Sequence, residues 1–234
     1  MKITKIKINP IEVKSNPINS FEQCAKRVLN SVQQKRPVDK SSFSYGLHCI
    51  GDSFQAAGDT FGFNKKASWL AETLVGMKSN DLAGVVYSLL VKLNYGNPKL
   101  REKYATNALA IAVRTKDPVH IMARANDLKE IYKLTERGSD KHLKVMYQEK
   151  RALNEIVTNY DKIALEHNTI TRELGSKDGY QAKLAAIKVE IGDLLKYKDP
   201  VLAKKELIEA REMYSVLGEG RNTEKIKQIL EKIK

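Results

Sequence analysis

Beyond residue 40, an Asx residue stands directly before a proline three times, at Asn97-Pro98, Asp117-Pro118 and Asp199-Pro200. An Asn or Asp side chain accepts from the N–H groups that open a helix, and proline is tolerated at the first helical position because its missing N–H would have no partner there anyway. Each pair therefore predicts a helix start. Ser139 and Asp178 predict two more, while Gly138, Gly175 and Gly218 stand where helices should end. The apolar residues between these signals recur at three- and four-residue spacing. They predict helices over residues 43–57, 65–77, 80–94, 98–114, 118–135, 139–173, 178–197, 200–217 and 222–233. No stretch alternates as a strand does, so the fold class is all-α.

The two ends read differently from the middle. Residues 1–19 hold Pro10, Pro17 and scattered lysines without helical period, the pattern of a flexible basic tail. Phe21, Cys24, Ala25, Val28, Leu29 and Val32 then mark one face of a helix that Pro37 stops, which predicts an N-terminal capping helix within residues 20–37. Residues 222–233 make the corresponding C-terminal cap. One helix stands out: residues 139–173 would span about 50 Å, with Leu153, Tyr160 and His167 on one heptad line and Ile156, Ile163 and Ile170 on the other. Such a rod would pack on a neighbour or on a second copy of the chain, giving a homo-oligomer. A break near Thr158 and Asn159 is the alternative.

Internal similarity organises the middle of the chain. Ile50, Gly51, Asp52 and Phe54, followed by Gly58 and Asp59, return as Ile191, Gly192, Asp193 and Leu195. A glycine at the second place of each phrase would let a partner helix approach closely. Ala105, Leu109 and Ala112 match Ala203, Leu207 and Ala210 in a second pattern of small and large residues, with Ala67, Ala71 and Leu74 in partial agreement. Together these phrases resemble the first and second helices of the tetratricopeptide repeat. The resemblance covers residues 41–217, about four hairpins, and implies an α-solenoid of antiparallel helix pairs. In the third hairpin Leu128 and Tyr132 keep their places, but Lys129 stands where a small residue belongs.

Other chemistry finds little footing. The chain's two cysteines, Cys24 and Cys49, form neither a disulfide framework nor a metal-ligand pair, which points to a reducing, cytoplasmic setting. No apolar run has the length of a signal peptide or a membrane span. His48, His120, His142 and His167 lie too far apart to share a metal through helical spacing, and no glycine-rich phosphate loop occurs, so no metal or cofactor is expected. Gly51-Asp52-Ser53 and Asp117 with His120 match phrases of one esterase family. That family's nucleophile follows a buried strand, whereas this phrase sits inside a helical pattern, so an enzyme is not expected.

What remains is binding. In the tetratricopeptide family the first helices line a concave groove that holds a peptide or partner helix. The resemblance places Tyr45, His48, Asp52, Gln55, Asn126, Glu130, Lys133, Asp193 and Lys196 along that groove and implies a protein-interaction scaffold whose partner is another protein or peptide. Nucleic acid is the alternative, because the net charge is +13. Residues 1–40 carry nine basic and three acidic side chains, and Lys99, Arg101 and Lys103 cluster at one helix start. Trp69, the single tryptophan, offers no evident stacking platform.

Overall fold

A computed structural model describes residues 16–168 and 175–233. The basic segment of residues 1–15 and the end of the expected 139–173 helix lie outside the described residues. Every element among them is a helix, in two compact units divided between Lys116 and Asp117. The first unit holds α1 (Pro17–Gln33), α2 (Lys40–Ala56), α3 (Thr60–Gly76), α4 (Asn80–Leu93) and α5 (Pro98–Thr115). The second holds α6 (Pro118–Thr135), α7 (Asp140–Thr158), α8 (Tyr160–Asn168), α9 (Lys177–Leu195), α10 (Pro200–Val216) and α11 (Gly220–Leu230).

The Asx–Pro starts form as expected. Asn97 accepts from the Leu100 N–H at 3.2 Å, Asp117 from Val119 at 2.9 Å, and Asp199 from Leu202 at 3.0 Å. A fourth pair, Asn16-Pro17, works the same way, with the Ile18 N–H donating to Asn16 at 2.9 Å, so α1 begins inside the stretch expected to be tail. The cap of α9 is Ser176, to which the Gly179 N–H donates at 3.1 Å, and Asp178 falls in the first turn instead.

Helix ends depart further from expectation. Gly58 and Gly218 take the left-handed conformation that ends a helix, and so do Lys35 and Lys78, with φ of 53° and 59°. In all four places the next residue's N–H reaches back to close the last turn, as in Ser79 to Leu74 at 2.8 Å and Asp59 to Phe54 at 2.9 Å. A lysine Cβ crowds the backbone in this region, so Lys35 and Lys78 store strain that glycine would not.

The continuous helix over 139–173 does not form. It breaks at Asn159, where α7 ends with a cap φ of −113° and ψ of 28°. Thr158 is β-branched and Asn159 competes for backbone hydrogen bonds, so both weaken a helix interior. The break turns Tyr160 toward α9: its ring lies 6.3 Å from that of Tyr180 and its hydroxyl donates to the Gly175 carbonyl at 2.8 Å. Met146, Leu153 and Ile156 of α7 are fully buried within the unit's own core, so this face is not held free for a second copy.

In the first unit, α3 packs on α4, α4 on α5, and α2 against α1, α3 and α4. Phe63 joins three of these elements, edge-on to Phe21 at 6.0 Å and tilted against Phe54 at 5.6 Å. Asn64 and Asn94, both buried, exchange reciprocal amide hydrogen bonds of 2.8 and 2.9 Å that tie α3 to the end of α4. In the second unit α6 pairs with α7 and α9 with α10, while α7 also lies on α9 and α11 on α10. At Gly192 the helices α9 and α10 approach closely. A Cβ there would stand 2.6 Å from Leu207 Cγ and 3.2 Å from the Ala203 carbonyl oxygen. At Gly51 the crowding comes instead from side chains of two helices, Leu93 of α4 at 2.8 Å and Phe63 of α3 at 3.3 Å.

Two stability changes follow from these geometries. Gly192→Val should lower the unfolding free energy of the second unit by about 2–3 kcal/mol, since backbone as well as side chain must retreat. Lys78→Gly should raise that of the first unit by about 1 kcal/mol by relieving the left-handed strain. Urea midpoints of the two variants check both signs.

Candidate functional site

Along α1 the residues Glu22, Ala25, Lys26, Leu29, Asn30 and Gln33 fall at three- and four-residue spacing on one face. Along α3 the residues Gly62, Lys65, Lys66 and Trp69 do the same. Where these faces meet they enclose a groove of about 720 Å³ with Phe21 at its base. Its floor is apolar, with Ala25 buried, Leu29 half-buried and Trp69 53% exposed. A large aromatic ring left half in water beside other apolar atoms is an unspent contact surface.

The same helices fix the groove's walls. Phe21, Cys24 and Val28 point inward and are fully buried, which sets the rotation of α1. Burial pushes the Cys24 thiol up to about 11, which keeps it protonated and inert. Gly62 sits so close to the Asp59 carboxylate that a Cβ would lie 2.2 Å from it, and the Gly62 N–H donates to Asp59 at 2.8 Å to start α3. Lys66 reaches Glu22 at 3.0 Å and links α3 to α1.

The residues expected to line a concave groove fall into two sets. Tyr45, His48, Asp52 and Gln55 share one exposed face of α2, where His48 Nε2 lies 3.7 Å from the Asp52 carboxylate. The Tyr45 hydroxyl is held above the usual phenol range by its hydrogen bond to Cys49. In the second unit Asn126 and Lys133 are exposed on α6 and Glu130 is half-buried. Asp193 of α9 and Lys196, the C-cap of that helix, are half-buried and pair at 2.7 Å, which raises the Lys196 ammonium above its ordinary value. Arg137 adds a 3.8 Å contact to Asp193. Within this set His48 pairs with Asp52 and Asp193 with Lys196.

Lys129, read from the sequence as a break in the repeat, is 7% exposed and ion-paired. Its ammonium lies 3.1 Å from Glu149 of α7 and 3.6 Å from Glu190 of α9. A second buried web joins Lys150 of α7 and Lys188 of α9 to Glu206 of α10, with Glu209 also on Lys188. Beside the first web, His142 is buried with Nδ1 accepting from the Gly138 N–H at 3.1 Å and Nε2 without a partner. Burial pulls its imidazole below the usual range against the opposing pull of Glu190, while burial lifts Glu149 above the usual carboxylate range against Lys129.

The residues of other readings have local roles. Ser53 lies within α2 and donates to the Cys49 carbonyl at 2.9 Å. Asp117 caps α6 and stands 3.1 Å from His120. Arg101 stacks over the exposed Tyr95 ring at 4.5 Å, which occupies the central side chain of the Lys99, Arg101 and Lys103 cluster. No group of three His, Cys, Asp or Glu side chains among the described residues is placed to hold a metal ion, and no helix among them is long and apolar enough to cross a membrane.

No protein-family model matches the sequence, and no curated protein matches it. Among solved structures the chain is similar to one described as the crystal structure of BtubC (BKLC) from P. vanneervenii. The TM-score is 0.42 at 12% sequence identity, covering 94% of this chain and 91% of that one.

The buried imidazole should make the second unit sensitive to acid. A histidine whose folded value lies below its ordinary 6.5 binds its proton more readily in the unfolded chain, so its contribution is present above about pH 6.5 and is lost as pH falls below it. Denaturant unfolding between roughly pH 7.5 and 5.5 should show this loss. His142→Gln should flatten the slope, and equal slopes in the two proteins would assign the acid sensitivity elsewhere.

Proposed function

We propose that this protein is a helical-repeat interaction scaffold that holds an apolar segment of a partner protein. The observation that carries the reading is the apolar groove between α1 and α3 with Trp69 half in water. Helix pairs that present such a groove recognise amphipathic helices through a few apolar anchors. The repeated phrases at Ile50 and Ile191, and the close approach of α9 and α10 at Gly192, support a tetratricopeptide-like arrangement of the hairpins. The polar faces at Tyr45, His48, Asp52 and Gln55 on α2, and at Asn126, Glu130, Lys133, Asp193 and Lys196, would then modulate partner choice rather than anchor it. In this reading the protein carries out no chemistry of its own.

Burying the exposed half of a tryptophan removes on the order of 100 Å² of apolar surface from water, worth about 2 kcal/mol. Trp69→Ala should therefore weaken partner capture by roughly 30-fold while leaving the thermal midpoint nearly unchanged. Capture from lysate at roughly 50 and 500 mM salt, with and without nuclease, separates this reading from nucleic-acid binding. Apolar anchoring predicts a protein retained at both salt concentrations and insensitive to nuclease. Phosphate contacts predict material that nuclease removes and that falls steeply with salt.

A further inference from the structure

The groove's rim carries a charge bias that the reading above leaves unused. Its lining holds one acid, Glu22, and three bases, Lys26, Lys65 and Lys66. Glu22 is taken by Lys66 at 3.0 Å. Lys26 and Lys65 are exposed and make no ion pair among the described residues. Two uncompensated ammonium groups thus stand on opposite helices over an apolar floor. The lining along α1 extends from Phe21 to Gln33, about 18 Å at 1.5 Å per residue, or some three turns of a docked helix.

On the scaffold reading just given, we propose that the α1–α3 groove receives an acidic amphipathic helix of a partner protein. Its apolar face rests on Ala25, Leu29 and Trp69, and its carboxylates meet Lys26 and Lys65. Charge complementarity selects this occupant over the alternatives. The chain's own residues 1–15 carry Lys2, Lys5, Lys7 and Lys14 against Glu12 alone, so like charges would face each other at the rim. A second copy brings a net +13 to the same encounter. An anionic bilayer answers the charge, but a flat surface cannot reach the floor of a groove walled by two helices.

The single tryptophan makes the site self-reporting. A displayed library of helix-forming peptides with randomised flank charge is selected against the full chain, and the enriched peptides are titrated while Trp69 emission is followed. The expected result is enrichment of Glu- and Asp-flanked peptides that blue-shift the emission. Binding should weaken at least about tenfold in the Lys26→Glu/Lys65→Glu variant at low salt, and that variant should gain for Lys-flanked peptides. Neutral or basic winners that bind both proteins equally would overturn the acidic assignment and leave the apolar groove standing. If no enriched peptide moves Trp69 emission, the groove reading itself fails. Ile6→Asp/Ile8→Asp in the full chain checks the internal occupant. A red shift of Trp69 in that variant before any peptide is added would give the groove to the chain's own N-terminal segment and overturn the proposal.

Discussion

No helix among the described residues exceeds 19 residues, and helices this short are marginal in water by themselves. Each must therefore bury one face against a neighbour and find partners for the N–H and C=O groups that its ends leave open. The rest of the structure follows from that double demand. Side-chain caps at Asn16, Asp39, Asp59, Asn97, Asp117, Ser139, Ser176 and Asp199 begin eight of the described helices. Left-handed residues end several of them. Within each unit most consecutive described helices come to lie against each other.

That demand also explains how the second unit tolerates charge inside it. Lys129, Glu149, Lys188 and Glu206 are all less than a tenth exposed. Burying any one alone would cost several kcal/mol, but each has an opposite charge from a different helix within 3.4 Å. Such pairs add little net stability compared with apolar side chains of the same size. They act on specificity: α6 cannot slide on α7, nor α9 on α10, without stranding a charge in the interior. The two webs therefore set the register of the second unit, while the packing of apolar residues supplies its cohesion.

The sequence makes the first half of this legible. Asx–Pro pairs and three- and four-residue periodicity locate the helices within a few residues, because capping is a local interaction whose partners are neighbours in the chain. The misses share the opposite character. Lys35 and Lys78 end helices as glycine would, which nothing in their local pattern announces. The break at Asn159 competes with a good heptad and wins because Tyr160 gains Tyr180 and Gly175 as neighbours, contacts between residues 15 or more apart. Lys129 looks like a fault in the repeat because Glu149 and Glu190 are invisible until α7 and α9 are in place. The candidate site divides the same way. The facial pattern of α1 is plain, but that α3 would stand beside it with Trp69 uncovered is not.

The contrast between the first and last described helices bears on what that uncovered face means. A helix that packs through one face only leaves its other face in water, and that outer face is ordinarily polar. The helix α11 obeys this: Arg221, Glu224, Lys225, Lys227 and Gln228 are exposed and Ile226 is turned inward. At α1 the rule is broken along one line, where Leu29 is half-buried and Trp69 of α3 lies beside it in water. Helix stability does not require this, since α1 already buries Phe21, Cys24 and Val28 on its other side. Nor does the fold need a tryptophan there, because the core of the first unit closes through Phe54 and Phe63. An apolar surface that neither the helix nor the core uses, edged by Lys26 and Lys65, which make no ion pair among the described residues, is the kind of local inconsistency that contact with another molecule resolves.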